Sequence, residues 1–181
     1  MTDGYVNSSI TGGIATVTFH HPKSNSLPGH VLQGMAQAIR EAGTNSDVRV
    51  IVLRSDGDKA FCAGASFDEL LAIDNAAKGL AFFSGFAAVI NAIRTAPVFV
   101  LGRIHSHTVG GGVGLACAVD IAYAHESASA RLSELAIGIG VTGGHLGSRA
   151  PTDFPHDALI IQFVDGDEGF EERVTVHQRQ D

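Results

Sequence analysis

Apolar and polar positions alternate over residues 5–10 and again over 14–19, with Thr11-Gly12-Gly13 between the two runs. A period of two on either side of a glycine-bearing turn predicts a β-hairpin. Residues 29–42 switch to a helical period, with Val31, Leu32, Met35, Ala36 and Ile39 on one face. The run 48–54 predicts a buried strand, and 56–64 a loop. A short helix is expected over 67–73. A longer one is expected over 79–94, with Leu80, Phe83, Ala87, Ile90 and Ile93 facing the core and Pro97 stopping it. A strand over 98–101, a glycine-opened helix over 110–118 and a strand over 119–124 follow. A last helix is expected over 156–164. Strand, helix and strand in alternation predict an α/β fold with parallel sheet and helices packed on it.

Two stretches carry chemistry. Lys59-Ala60-Phe61-Cys62-Ala63-Gly64-Ala65-Ser66-Phe67-Asp68-Glu69-Leu70 and Thr108-Val109-Gly110-Gly111-Gly112-Val113-Gly114-Leu115 each place a glycine turn between an apolar strand pattern and a helical one. The first amides of a helix have no intrahelical partner. Two such turns facing one pocket would make an oxyanion hole, which stabilises negative charge on a carbonyl oxygen.

Composition narrows the partners. A chain of 181 residues, 45% apolar and 17% charged, has enough apolar content for one packed domain and is not a disordered segment. The formal charge of −7 disfavours nucleic acid or an anionic membrane as partner. Cys62 and Cys117 lie in apolar runs and read as buried free thiols. With no secretory pattern at the N-terminus, a reducing, cytoplasmic setting is expected. No apolar run reads as long enough to span a bilayer.

Phe61-Cys62-Ala63-Gly64-Ala65, then Gly110-Gly111-Gly112, then Ala118-Val119-Asp120 resemble the crotonase (enoyl-CoA hydratase/isomerase) superfamily. Pro22-Lys23-Ser24-Asn25-Ser26-Leu27 resembles that family's early loop, and Ser133-Glu134-Leu135-Ala136-Ile137-Gly138-Ile139 its later segment, with Ser133 where proline is common. The resemblance covers roughly residues 5–147. It implies a ββα spiral that binds acyl-CoA thioesters, needs no cofactor beyond the CoA of the substrate, takes no metal, and assembles as a homo-oligomer, a trimer or hexamer. A crotonase-like core over 1–147 and a short divergent segment over 148–181 are expected, because the helical C-terminal part of the family is shortened here.

The resemblance places the oxyanion donors at the backbone N–H groups of Ala65 and Gly111. It places Lys23, Asn25, Lys59, Ala63, Gly64, Gly110, Gly114 and Thr142 along the substrate, with Lys23 and Lys59 as phosphate partners. Hydratases of the family use two glutamates. One matches Glu134; the other falls on Gly114, which has no side chain to carry a proton. Two carboxylates suit the addition of water, whereas one base suffices to move a double bond by removing and returning a proton. An isomerase-like enzyme with Glu134 as base is therefore expected. Hydratase-like or decarboxylase (lyase) activity, or acyl-CoA binding without catalysis in an oligomeric protein, are the alternatives.

Other polar residues are weaker candidates. His105 and His107 alternate on an extended segment and share a face, but no third metal ligand stands at a fitting spacing. Ser106 with His145 and an aspartate would be a hydrolase triad, without support from spacing. Asp68 and Glu69 fit the positive end of a short helix, with Glu69 also able to face the pocket.

Overall fold

The computed structural model describes residues 3–132, 160–163 and 174–177. The hairpin forms as expected, β1 (Tyr5–Thr11) against β2 (Ile14–His20). Helix α1 (Gly29–Thr44) follows, then β3 (Val50–Ser55), β4 (Ala60–Cys62), α2 (Phe67–Leu71), α3 (Ala76–Arg94), β5 (Phe99–Ile104), β6 (His107–Val109), α4 (Gly111–Ala118), β7 (Ile121–Ala124) and β8 (Ala130–Arg131). The larger sheet runs β1-β2-β3-β5-β7, parallel from β2 onward. A smaller parallel sheet runs β4-β6-β8.

Register explains the core. Ala15 pairs with Ile51 and Ile51 with Val100; Val17 pairs with Leu53, Leu53 with Gly102, and Gly102 with Ala122. All of these are buried, and α1 lies against β1, β2 and β3. The predicted stripe of α1, Val31, Leu32, Met35, Ala36 and Ile39, is buried as its period requires. Each large side chain removed from water in this way contributes about 1.5–3 kcal/mol. Phe19 and Phe61 meet edge to face, with centroids 5.3 Å apart, joining the two sheets.

Four expectations fail. The face of α3 is rotated: Gly85, Val89, Ala92 and Ile93 are buried, whereas Leu80 is 72% and Phe83 55% exposed. The helix is apolar nearly all round, so its period cannot choose a face. Gly85 decides it, since a side-chain carbon there would lie 2.8 Å from the Leu32 Cδ1 on α1. By length and composition alone α3 also meets the requirement for a membrane span, against the reading above; here it packs on α1 and α4. The predicted loop 56–64 contains β4, whose three residues are all buried. The helix expected over 156–164 is contradicted by β9 (Ile160–Phe163), which pairs antiparallel with β10 (Val174–His177). Its adjacent β-branched Ile160 and Ile161 favour a strand once a partner is present.

The start of α4 rests directly on β4. A side-chain carbon at Gly112 would lie 2.8 Å from the carbonyl oxygen and Cβ of Cys62. Backbone cannot swing aside, so Gly112→Ala should destabilise the fold by about 1–3 kcal/mol. Urea denaturation checks this; a midpoint equal to that of the unchanged protein refutes the close approach.

Candidate active site

Strands β4 and β6 lie side by side and parallel, with Cys62 opposite Thr108. The chain therefore leaves both strands at the same end, and the turn 63–66 meets the turn 110–112. Gly64 sits at φ +90°, where a side-chain carbon would lie 3.2 Å from the Val109 carbonyl oxygen. Gly110 opens α4 at φ 54°, ψ −123°, a conformation open to glycine. Both turns thus require glycine where the sequence has it.

The hydrogen bonds of the first turn account for its backbone group by group. Ala63 N–H donates to the Asn25 carbonyl at 3.1 Å, Leu27 N–H to the Gly64 carbonyl at 2.7 Å, and Ser66 N–H to the Leu27 carbonyl at 2.9 Å. Ser26 Oγ donates to the Ala65 carbonyl at 2.9 Å, and Gly64 N–H points at the Cys62 Sγ at 3.4 Å. The N–H of Ala65 has no partner among the described residues. In the second turn Gly110 N–H donates to the Arg131 carbonyl at 2.9 Å and Val113 N–H to that of Gly110 at 2.9 Å. Gly111 and Gly112, the first two residues of α4, keep free N–H groups among the described residues. Ala65 is half-buried, as is Gly111. A carbonyl oxygen between such donors gains charge stabilisation worth about 3–4 kcal/mol for each donor.

The early loop holds this arrangement. Asn25 is 2% exposed. Its Oδ1 accepts from His21 N–H at 2.7 Å, and its Nδ2 donates to the carbonyls of Asp56 at 2.9 Å and Ala60 at 2.8 Å. Its side chain is fully engaged, which corrects the expectation that Asn25 lines the substrate. Ser24 and Asn25 adopt φ 53° and 58° to make the turn. The N–H of Ala63 is likewise spent, although its half-buried side chain remains beside the turn. Lys23 pairs with Asp68 at the surface, both exposed; an ion pair of this kind contributes little and exchanges readily. Lys59 is exposed, and its carbonyl accepts from Ser106 Oγ at 2.6 Å.

Glu69 is engaged by backbone distant in sequence. Its Oε2 accepts from Gly29 N–H at 2.9 Å and caps α1, whose N-cap Pro28 offers no side-chain acceptor. Asp120, part of the motif the sequence singled out, accepts from Val100 N–H at 2.8 Å and ties β7 to β5. Neither role has a local sequence signal, because the partners lie 40 and 20 residues away. Gly114 sits on α4 with the Ile90 Cδ1 only 3.3 Å from where a side-chain carbon would stand. Glu134, Thr142 and His145 lie outside the described residues.

Burial pushes the Cys62 thiol up to about 12, so it stays protonated and unreactive. His107 Nδ1 lies 2.7 Å from Ser129 Oγ. Among the described residues no cluster of three His, Cys, Asp or Glu gathers.

The matching family model is that of enoyl-CoA hydratase/isomerase, over residues 9–151. The chain belongs to this family. A (7aS)-7a-methyl-1,5-dioxo-2,3,5,6,7,7a-hexahydro-1H-indene-carboxyl-CoA hydrolase of Rhodococcus jostii (strain RHA1) is 31% identical over 148 residues, 82% of this chain and 57% of that protein. A mitochondrial methylglutaconyl-CoA hydratase of Rattus norvegicus is 36% identical over 120 residues, 66% of this chain and 38% of that protein. The crystal structure of an enoyl-CoA hydratase/carnithine racemase from Magnetospirillum magneticum superposes with TM-score 0.71 at 27% identity, covering 78% of this chain and 55% of that one. The chain thus spans about half the length of the family members it matches.

Two histidines near the early loop and the sheet joint give this family member a pH signature. Burial lowers the pKa of His21, and burial lowers that of His105, helped by Arg103 and Arg54. The ring nitrogens of His105 and the Nδ1 of His21 are buried without partners among the described residues. The unfolded chain binds their protons near the ordinary value of 6.5, the folded chain only lower. This stability is complete above pH 6.5 and falls as pH drops below it. Urea midpoints should therefore decline between about pH 7.5 and 5.5, less so in His105→Gln; equal slopes in both proteins refute the assignment.

Proposed function

We infer that this protein binds acyl-CoA thioesters and stabilises their enolates, with the thioester carbonyl oxygen received by the N–H groups of Ala65 and Gly111. One observation carries the reading: the Ala65 and Gly111 amides emerge at the same end of adjacent parallel strands and have no partner among the described residues. An enolate needs that environment, because removal of the C2 proton leaves negative charge on the carbonyl oxygen. The names of the two relatives, a carboxyl-CoA hydrolase and a methylglutaconyl-CoA hydratase, favour the same substrate class.

Within that class the reading is isomerase-like. Glu134 takes the proton from C2 of a 3-enoyl thioester, the double bond moves from C3–C4 to C2–C3 through the enolate, and the proton returns at C4. Every atom is conserved, and one carboxylate serves both transfers. Gly114 supplies no second acid. Lys23 and Lys59, exposed beside the early loop and the first turn, would meet the CoA phosphates. Hydration or hydrolysis is the second reading, favoured by the activities of the two relatives.

The test offers 3-enoyl-CoA and 2-enoyl-CoA thioesters to the protein and to Glu134→Gln, following the conjugated thioester by absorbance. Double-bond migration that falls by roughly 100-fold or more in Glu134→Gln is expected. Hydration that persists in Glu134→Gln would sink the isomerase reading.

A further inference from the structure

Helix α3 presses two side chains onto the two glycines of α4 that matter most. A side-chain carbon at Gly111 would lie 2.7 Å from Cε1 of the Phe86 ring, and one at Gly114 would lie 3.3 Å from the Ile90 Cδ1. Phe86 and Ile90 are four residues apart, Gly111 and Gly114 three, so each pair shares a helix face. The ring of Phe86 therefore stands beside the amide of Gly111, and the δ-methyl of Ile90 stands where a side chain on residue 114 would leave the helix. Both α3 residues are half-buried, and both are hydrocarbon.

Resting on the acyl-CoA reading above, we propose that Ile90 determines which reaction the site performs, because it fills the exit path of a second proton-carrying side chain at position 114. Among the described residues, the groups that α3 sets against Gly111 and Gly114 are then ring and methyl, neither of which can hold water or carry a proton. An acyl group lying there can lose and regain protons at carbon through a single base. It cannot add water, a reaction that places the water oxygen on C3, sends one water proton to a nearby base and delivers another proton to C2 as the π bond breaks. The glycine at 114 and the isoleucine at 90 act as one unit, since a side-chain carbon at 114 would meet the Ile90 Cδ1 at 3.3 Å. Substrates are accordingly 3-enoyl thioesters with apolar carbons at C3 and C4.

The experiment compares the unchanged protein with Ile90→Ala, Gly114→Glu and the double variant. It reads Tm, hydration of 2-butenoyl-CoA, and affinity for butanoyl-CoA, which cannot react. Gly114→Glu alone should lower Tm by roughly 3–10 °C, because the new side chain meets Ile90, and should not hydrate. The double variant should regain part of that Tm and hydrate 2-butenoyl-CoA at a rate roughly 100-fold above the unchanged protein. A single Gly114→Glu variant that matches the double one in Tm and hydration overturns the proposal. So does a double variant that recovers Tm, binds butanoyl-CoA and still adds no water. An unchanged protein that does not bind butanoyl-CoA overturns the acyl-CoA reading itself, and the Tm pattern then shows separately whether positions 90 and 114 are coupled.

Discussion

Parallel pairing of two three-residue strands, Ala60–Cys62 and His107–Val109, is the constraint on which the rest of the site depends. A strand of three residues makes too few hydrogen bonds to stand alone. These two persist because each continues a longer strand of the main sheet after a short bend, and because Phe61 packs edge to face on Phe19. Parallel direction puts both exits at one end. Antiparallel pairing would send the turns apart, and no pair of amides could converge. The glycines then follow from crowding: Gly64 against the Val109 carbonyl, Gly112 against Cys62, Gly111 against Phe86.

Exit at one end is not enough for an oxyanion hole; the amides must also stay unspent. The early loop does this by taking up the surrounding polar groups. Through Asn25, Ser26 and Leu27 it binds the carbonyls of Ala60, Gly64 and Ala65 and the N–H groups of Ala63 and Ser66. Among the described residues the Ala65 N–H has no partner, and the Gly64 N–H meets the Cys62 Sγ rather than the loop. A free donor costs on the order of 1–3 kcal/mol when half-buried, and that cost is offset by the network around it. In the proposed oxyanion role, donors held in this way would need no rearrangement as charge develops.

Much of this was legible in the sequence, and the gaps have physical causes. The hairpin and α1 have clean periods of 2 and 3.6, and the glycine clusters mark the turns. The face of α3 was not legible, because Leu80, Phe83, Ala87, Phe86 and Val89 are all apolar and only the Gly85–Leu32 contact selects between them. The smaller sheet was hidden because three-residue strands carry no period. Asn25 looked like a ligand-facing residue, being polar and adjacent to the turn, but its amide is consumed by backbone that is distant in sequence. Glu69 was ambiguous for the same reason until Gly29 was seen to donate to it. Hydrogen bonds between residues 31 to 40 apart leave no local pattern.

The chain spans about half the length of the relatives it matches, yet both turns, the early loop and α4 fall within the described residues. The central claim, that the Ala65 and Gly111 amides receive a thioester carbonyl, is tested most directly by isotope-edited infrared spectroscopy of bound butanoyl-CoA carrying a labelled carbonyl. Two converging donors polarise the carbonyl, so its stretch should move to lower frequency than in water. A bound thioester whose carbonyl stretch stays at or above its frequency in water would contradict the account.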